Sequence, residues 1–369
     1  MASVTLSGLR KEYGDLTAVD GLDLDVDDGE LLCLLGPSGC GKSTTLRMLG
    51  GLETPTDGDV HIGDEPVTDQ PPYERNTSMV FQSWALFPRK SVIENVAFGL
   101  KMDGVSEDER RERAREMLDV VEMGEFVDHD PTDLSGGQKQ RVALARSLAI
   151  EPDVLLLDEP LSNLDKRLRE QMQLELRNIH DAVETTFVHV THDQNEAFTL
   201  ADSIAIMHDG DIEQIGAPRE VYDDPVSLFI EEFLGDTNLV DATVAEVTET
   251  GVIADTAFDT EVDVRTGDAA VAQGDGLSVS FRPEELDVER VEGTDGDGAS
   301  AVTGEITDVL YRGSTVRFYV DLGGEHLFFE QSVGADTAFS AGDVVRVSWD
   351  PDDLLAFAAD GARVGRGET

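Results

Sequence analysis

Basic residues are scarce in this sequence. It contains 28 lysines and arginines against 77 aspartates and glutamates, and its formal net charge at pH 7 is −49. Such an excess of negative charge repels phosphate backbones, so we do not expect a nucleic-acid partner. The apolar content of 40% and clear periodic segments exclude a disordered acidic chain. A folded protein with a densely carboxylated surface is therefore expected.

Cysteines and long apolar runs are also lacking. The two cysteines, Cys33 and Cys40, suggest no disulfide framework. No window approaches the roughly 20 apolar residues that a membrane-spanning helix needs, and residues 1–5 lack the apolar core of a signal peptide. We expect a soluble intracellular protein, unless a partner holds it at a membrane.

Residues 36–43 fit the phosphate-loop pattern G-x-x-x-x-G-K-[ST]. An apolar run at residues 30–35, readable as a buried strand, precedes them, and a helix is predicted to follow from Thr44. Glycines let backbone N–H groups surround an anion, and the helix adds its positive N-terminal end. Lys42 would reach the outer phosphates and Ser43 would ligate Mg²⁺. The loop residues are Gly36, Pro37, Ser38, Gly39, Cys40, Gly41, Lys42 and Ser43.

Two further apolar runs end in residues suited to phosphate chemistry. Residues 154–157 are followed by Asp158, which can hold Mg²⁺, and by Glu159, which can polarise an attacking water. Residues 186–190 are followed by His192. Strands that alternate with helices predict a largely parallel sheet, whose ligands bind beyond the carboxyl ends of the strands.

The composition changes near residue 235. Beyond it there is no lysine. Short segments in which apolar residues alternate with others, as Val316, Phe318 and Val320 do, are separated by turn residues. This pattern predicts a small β-barrel domain. We therefore expect an α/β domain at residues 1–235, with a helical part at about 85–150, and an all-β domain at residues 236–369.

The most specific string is Leu134-Ser135-Gly136-Gly137-Gln138. Two glycines precede a helix predicted from Gln140, so the string forms a second candidate phosphate site. It resembles the signature of ATP-binding cassette (ABC) proteins, which caps the γ-phosphate held by another subunit's phosphate loop. The resemblance covers residues 4–235 and implies the ABC ATPase fold of the P-loop NTPases, with ATP and Mg²⁺ as cofactors.

The resemblance also implies a set of roles. Tyr13 would stack on adenine, Gln82 would touch Mg²⁺ and water and relay to a membrane subunit, and His192 would contact the γ-phosphate. The implied catalytic residues are Glu159, His192, Gln82 and Lys42; the metal ligands are Ser43, Gln82 and Asp158; and the nucleotide contacts are Tyr13, residues 36–43, Thr44, Ser135, Gly136, Gly137, Gln138 and Asp165.

The second domain resembles the OB-like (TOBE) appendage of importer ATPases, through Phe281-Arg282-Pro283-Glu284 and Ser348-Trp349-Asp350-Pro351. An importer ATPase is expected to form a homodimer, or a pair with a related ATPase subunit. It would contact two membrane permeases near residues 82–88 and act with an extracellular solute-binding protein. Its expected location is the cytoplasmic face of the membrane.

The cargo is less defined by these motifs. Residues 169–176 and 233–239 look most like the spermidine/putrescine group, while sugar, ferric iron and oxyanions (molybdate, tungstate or sulfate) remain alternatives. An alternative from a different functional class is a non-transport ABC ATPase that acts on DNA or ribosomes. The single cassette, the absence of long coiled-coil insertions and the negative charge count against that class.

The net charge generates the first prediction. Such surfaces resemble those of halophilic archaea, which keep molar salt in the cytoplasm; there the Debye length is about 3 Å, and the self-repulsion of the carboxylates is screened. Lowering the KCl concentration should therefore reduce the melting temperature and the ATPase activity together. Circular dichroism and phosphate release measured across a salt series test this. Full stability and activity in dilute buffer would contradict it.

Overall fold

The computed structural model describes residues 2–183, 185–258, 260–266, 271–291, 300–334 and 339–364. The chain divides into two compact units, Met1–Asp223 and Asp224–Thr369. This division precedes the change at residue 235 that the sequence predicts. A helix, Leu228–Leu234, lies in the second unit, where its buried Glu231 pairs with the buried Arg282 at 2.6 Å.

The first unit is an α/β structure. In chain order its strands are β1 (Val4–Tyr13), β2 (Leu16–Val26), β3 (Leu31–Leu35), β4 (Asp57–Ile62), β5 (Glu65–Pro66), β6 (Thr77–Val80), β7 (Val154–Asp158), β8 (Thr186–Thr191), β9 (Ser203–His208) and β10 (Asp211–Gly216). Its helices are α1 (Lys42–Leu49), α2 (Val92–Val96), α3 (Phe98–Met102), α4 (Glu107–Val120), α5 (Gly136–Leu148), α6 (Lys166–Val183), α7 (Gln194–Leu200) and α8 (Pro218–Asp223). Short 3₁₀ helices span Pro72–Glu74, Gly124–Phe126 and Pro131–Asp133.

Six strands form the central sheet in the order β10-β9-β3-β8-β7-β6. The neighbours from β9 to β6 pair in parallel, and β10 pairs antiparallel with β9. All residues of β3 and β8 are buried, which confirms that these apolar runs are strands covered on both faces. Because β3, β8 and β7 are neighbours, the loops after Leu35, Asp158 and Thr191 leave one edge of the sheet.

A second, antiparallel sheet has the order β2-β1-β4-β5. Leu22, Leu24 and Val26 of β2 are buried while the residues between them are exposed, because successive side chains of a strand point to opposite faces. Tyr13 is the last residue of β1 and pairs with Leu16 of β2.

Helices α2 to α5 form the helical part of the first unit. The apolar face of α4 is buried and comprises Ala114, Met117, Leu118 and, just beyond the helix, Val121. Helix α5 begins at Gly136 rather than at the predicted Gln140. The reason is a capping box, in which the Ser135 hydroxyl accepts from the Gln138 N–H and the Gln138 side chain accepts from the Ser135 N–H.

The second unit contains one helix and ten strands among its described residues. These are α9 (Leu228–Leu234), β11 (Asn238–Val247), β12 (Val252–Thr256), β13 (Glu261–Val264), β14 (Gly276–Phe281), β15 (Asp287–Arg290), β16 (Ala301–Tyr311), β17 (Thr315–Asp321), β18 (His326–Ser332), β19 (Val344–Ser348) and β20 (Leu355–Ala358), with a 3₁₀ helix at Pro283–Glu285. Two antiparallel sheets, β13-β12-β11-β14-β20 and β15-β19-β16-β17-β18, share one core. The predicted all-β domain is therefore confirmed.

Strand β17 departs from simple alternation at one position. Val316, Phe318 and Val320 are buried as predicted, but Arg317 is buried as well, although the pattern places it on the polar face. Its guanidinium pairs with the Asp236 and Glu330 carboxylates. The Arg317 hydrogen bond, with help from a second arginine, holds the pKa of Asp236 below its usual range. A buried cation is tolerated here because it is paired.

No helix within the described ranges is both long and apolar enough to cross a membrane.

Candidate active site

The loop between β3 and α1 depends on two glycines. A Cβ atom at Gly36 would lie 2.3 Å from the Met207 carbonyl oxygen, and one at Gly41 would lie 2.4 Å from the Ala18 carbonyl oxygen. Gly41 also has a φ of +108°, which residues with a Cβ resist. These glycines therefore allow the close backbone packing that an anion-binding loop needs.

The Lys42 side chain is buried at the centre of this loop. Its Nζ donates hydrogen bonds to the carbonyl oxygens of Gly36 at 2.7 Å and Pro37 at 2.8 Å, and it lies 3.6 Å from the Cys40 Sγ. In the described part of the chain, no carboxylate lies within 4 Å of this ammonium. A buried cation without a counter-ion favours an incoming anion. Of the other predicted loop residues, Ser38 and Gly39 are exposed, Gly36 and Cys40 are buried, and Pro37, Gly41, Ser43 and Thr44 are half-buried.

The predicted metal ligands are only partly brought together. The Ser43 Oγ donates to the Asp158 Oδ1 at 3.1 Å, and these adjacent oxygens fit a hard cation such as Mg²⁺. Gln82 instead donates through Nε2 to the Ser162 Oγ at 3.0 Å, and its backbone oxygen accepts from the Asn163 Nδ2 at 2.9 Å. Gln82 is thus bonded to the loop that follows β7 and not to the Ser43–Asp158 pair.

Glu159 and His192 are neighbours, as expected for two groups that serve one phosphate. The Glu159 Oε1 lies 3.2 Å from the His192 Nδ1. Glu159 adopts a φ of +45°, a conformation that costs of order 1–3 kcal/mol and often occurs at functional sites. Its N–H donates to the Val190 carbonyl oxygen at 3.1 Å, and its own carbonyl oxygen accepts from the Ser162 Oγ at 2.9 Å. These bonds hold the carboxylate in place beyond the sheet.

A buried network that the sequence analysis missed lies behind the His192 loop. The Glu196 carboxylate, 3% exposed, accepts from the Thr191 Oγ1 at 2.8 Å and lies 2.7 Å from the His189 Nε2. The Thr191 Oγ1 accepts from the Asp193 N–H at 3.0 Å. Glu196 therefore fixes the backbone on both sides of His192. The pattern Asp193-x-x-Glu196 at a helix start was a signal that could have drawn attention to it.

The signature string forms a turn with its own set of contacts. A Cβ atom at Gly136 would lie 3.2 Å from the Leu164 Cδ2 and 3.4 Å from the Trp84 ring, and one at Gly137 would lie 3.1 Å from the Leu168 Cδ1. Ser135 and Gln138 are engaged in the capping box, so their side chains shape the start of α5. The turn therefore presents the first N–H groups of a helix.

No hydrogen bond or ion pair joins the phosphate loop to the signature turn within the described residues. The phosphate loop contacts Met207, Ala18 and Asp158, whereas the signature turn contacts side chains from residues 84, 164 and 168. Among the described residues, the two candidate phosphate-binding turns therefore have different contact partners.

The remaining predicted nucleotide contacts, Tyr13 and Asp165, are exposed. The Tyr13 side chain is 45% exposed, and the Lys11 Nζ lies 5.0 Å from its ring centroid. The Asp165 Oδ1 accepts from the Leu168 N–H at 3.1 Å at the start of α6. Both positions leave a surface available to a base or to a second chain.

The segment after Gln82 has a strained backbone beside a cavity. Trp84 and Ala85 have φ values of +58° and +45°, and their carbonyl oxygens accept from the Arg146 guanidinium at 2.9 and 2.7 Å. The adjoining cavity of about 310 Å³ is lined by Ser83, Trp84, Leu86, Pro88, Pro131, Thr132 and Lys139. The Arg146 guanidinium therefore holds this strained backbone in place.

Asn95, which the sequence analysis also missed, fixes the rest of this segment. Its fully buried amide donates to the carbonyl oxygens of Phe87, Lys90 and Ser91, and it accepts from the Phe87 N–H at 2.7 Å. A lone Asn among the apolar residues of α2 was the available signal, because a buried amide needs partners.

Comparison with known proteins agrees with this geometry. Residues 19–162 match the ABC transporter family, and residues 279–357 match the TOBE domain. A spermidine/putrescine import ATP-binding protein, PotA, from Rubrobacter xylanophilus is 43% identical over 96% of this chain and 93% of its own length. The corresponding protein of Thermobifida fusca is 44% identical over 95% of this chain and 92% of its own. The chain belongs to the ABC transporter family of ATP-binding subunits.

A solved structure supports the fold of this ABC ATPase. The dimeric cassette MJ0796, in a post-hydrolysis state bound to ADP and Pi, is 35% identical and has a TM-score of 0.52, covering 58% of this chain and 99% of its own. This ABC ATPase is thus an ATP-binding, ATP-hydrolysing transporter subunit with an appended TOBE domain.

Glu196→Leu tests the buried network. It leaves the His189 Nε2 and the Thr191 Oγ1 without an acceptor, so the free energy of unfolding should fall by about 2–4 kcal/mol. Urea unfolding measures this. Glu170→Leu, on the exposed side of α6, is the matched control and should change stability by less than about 0.5 kcal/mol. Equal stability of the two variants would refute the assigned role.

Proposed function

We propose that this ABC ATPase energises the import of a polyamine such as spermidine or putrescine. The assignment of the cargo is supported by the similarity to spermidine/putrescine import ATP-binding proteins. This similarity extends over more than nine-tenths of this chain and of theirs, and so includes the second unit. Sugar, ferric iron and oxyanion importers remain the alternatives within the family.

Two copies of the chain, or one copy and a related subunit, would complete the catalytic site. The phosphate loop of one copy would face Ser135, Gly136 and Gly137 of the other. This arrangement is supported by the separation of the two parts within one chain and by the dimeric state of the similar cassette. Asp165, exposed at the start of α6, would lie along the same interface.

Binding of the nucleotide would use groups already held in place. The Lys42 ammonium and the N–H groups of its loop would bind the phosphates, and Tyr13 would stack on the base. Ser43 and Asp158 would hold Mg²⁺, with Gln82 joining them only if it leaves Ser162. When bound, Mg²⁺ would neutralise charge on the phosphate oxygens.

Hydrolysis would use Glu159 as the group that orients water. A water oxygen forms a bond to the γ-phosphorus while the bond to the ADP oxygen breaks, and the water proton passes to the Glu159 carboxylate. His192, 3.2 Å from that carboxylate, would fix its direction and contact the γ-phosphate. Most of the rate enhancement in such reactions comes from positioning and electrostatics.

Coupling to transport would pass through the segment at residues 82–88. Its strained backbone borders the 310 Å³ cavity, and Gln82 bonds to Ser162 beside Glu159. We therefore assign two permease subunits to this surface, at the cytoplasmic face of the membrane, together with an extracellular solute-binding protein that selects the cargo.

Uptake by cells that lack this chain tests the proposal. The wild-type chain should restore accumulation of labelled spermidine or putrescine, and Glu159→Gln should not, because the attacking water loses its proton acceptor. Uptake of maltose, ferric iron and molybdate should be unchanged in the same cells. If the wild-type chain restored uptake of sugar, iron or an oxyanion and not of polyamine, the proposal that polyamine is the transported substrate would be wrong.

The purified Glu159→Gln variant provides the control for this experiment. It should bind ATP as the wild type does and accumulate as a dimer on gel filtration with ATP, since only hydrolysis is removed. Normal steady-state hydrolysis by this variant would refute the role given to Glu159. The assignment of the cargo would still be decided by the uptake experiment.

A further inference from the structure

A small basic cavity lies among helices α2, α3 and α4, in the helical part of the first unit. Its volume is about 80 Å³, and it is lined by Lys90, Ile93, Glu94, Ala97, Phe98, Lys101, Glu107, Arg110 and Arg111. The chain has only six lysines among 369 residues and carries a net charge of −49. Two of those lysines and two arginines nevertheless surround this one cavity.

The two carboxylates that line the cavity are engaged locally. Glu94 caps α2 by accepting from the Ser91 N–H at 2.8 Å, and that hydrogen bond, together with the nearby cations, holds the pKa of Glu94 below its usual range. Glu107 is largely exposed and lies 3.7 Å from Arg110, which also donates to the Val105 carbonyl oxygen at 3.3 Å.

Three cations of the cavity form no ion pair with the described residues, although Lys90 and Arg111 are near enough to Glu94 to help lower the pKa of that carboxyl. In the ranges that the structure describes, no carboxylate lies within 4 Å of the Lys90, Lys101 or Arg111 side chains, and the Lys90 Nζ is 5.2 Å from the Phe98 ring centroid. Like charges gathered in one place repel, and the repulsion is relieved when an anion enters. In so acidic a chain, such a cluster points to an anionic ligand.

The size and chemistry of the cavity indicate which class of ligand it can bind. The cavity volume of about 80 Å³ is several times the roughly 10–15 Å³ that one water molecule needs on the same measure, so a small oxyanion fits. Arginine and lysine together are the common ligands of phosphate oxygens. We propose that this cavity binds a single phosphate group, distinct from those held at the phosphate loop.

The phosphate group can be a free anion or the headgroup of a lipid, and the two sources are separated by the test. Isothermal titration with inorganic phosphate is performed at fixed ionic strength with the non-hydrolysable ATP analogue AMP-PNP and Mg²⁺ in excess, so that the phosphate loop is filled up to its γ-phosphate position. Cosedimentation with phosphatidylglycerol vesicles measures binding to a lipid headgroup, and phosphatidylcholine vesicles serve as the control.

The test variant is Lys90→Gln/Lys101→Gln/Arg111→Gln. The matched control, Arg115→Gln/Lys166→Gln/Arg219→Gln, removes the same charge from exposed positions elsewhere. We expect the test variant to lose about tenfold or more in affinity for one probe, which corresponds to about 1.4 kcal/mol, and the control to lose less than about twofold. Circular dichroism checks folding, and the exposed Lys101→Gln alone should still weaken binding about twofold if the triple variant unfolds.

Each outcome decides the proposal. Loss of inorganic phosphate binding identifies a free anion, and loss of vesicle binding alone identifies a lipid headgroup; both support the site. No binding of either probe by the wild type, or equal binding by test and control variants, overturns it. None of these results depends on the cargo of the transporter.

Discussion

The buried ammonium of Lys42 is the interaction on which the catalytic arrangement depends. It is 6% exposed, is held by two carbonyl oxygens of its own loop and has no nearby carboxylate within the described residues. The two carbonyl oxygens make the buried charge tolerable, and the lack of a carboxylate favours an incoming anion. The glycines at residues 36 and 41 permit that loop, and the parallel order of β3, β8 and β7 brings Asp158 and Glu159 to the same edge of the sheet.

The sequence predicts well those elements whose type depends on residues that are near one another in the chain. Continuous apolar runs became β3, β7 and β8, and the glycine-rich strings lie at helix starts. Details that depend on long-range partners were not predictable. Glu196 beneath the His192 loop, the bond from Gln82 to Ser162 and the buried Arg317 each depend on a residue that folding brings close.

The charge distribution gives the surface two different regions. Carboxylates dominate the chain and would keep it apart from polyanions, yet the helical part gathers unpaired cations around one cavity. The segment at residues 82–88 lies earlier in the same part of the chain and is held by Arg146 and Asn95. The helical part therefore combines the surface proposed for the permease with the proposed phosphate-binding cavity, while the proposed catalytic residues lie at the sheet edge.

The central claim is that each catalytic site is shared by two chains, and mixing two inactive variants tests it most directly. Lys42→Ala disables the phosphate loop, and Gly137→Asp places a carboxylate against the γ-phosphate; each alone should abolish ATP hydrolysis. In a 1:1 mixture about half of the dimers combine the two variants, and each such dimer has one intact site, so activity should return to up to about a quarter of the wild-type value. A mixture as inactive as its components, with mixed dimers shown by mass spectrometry, would contradict the account.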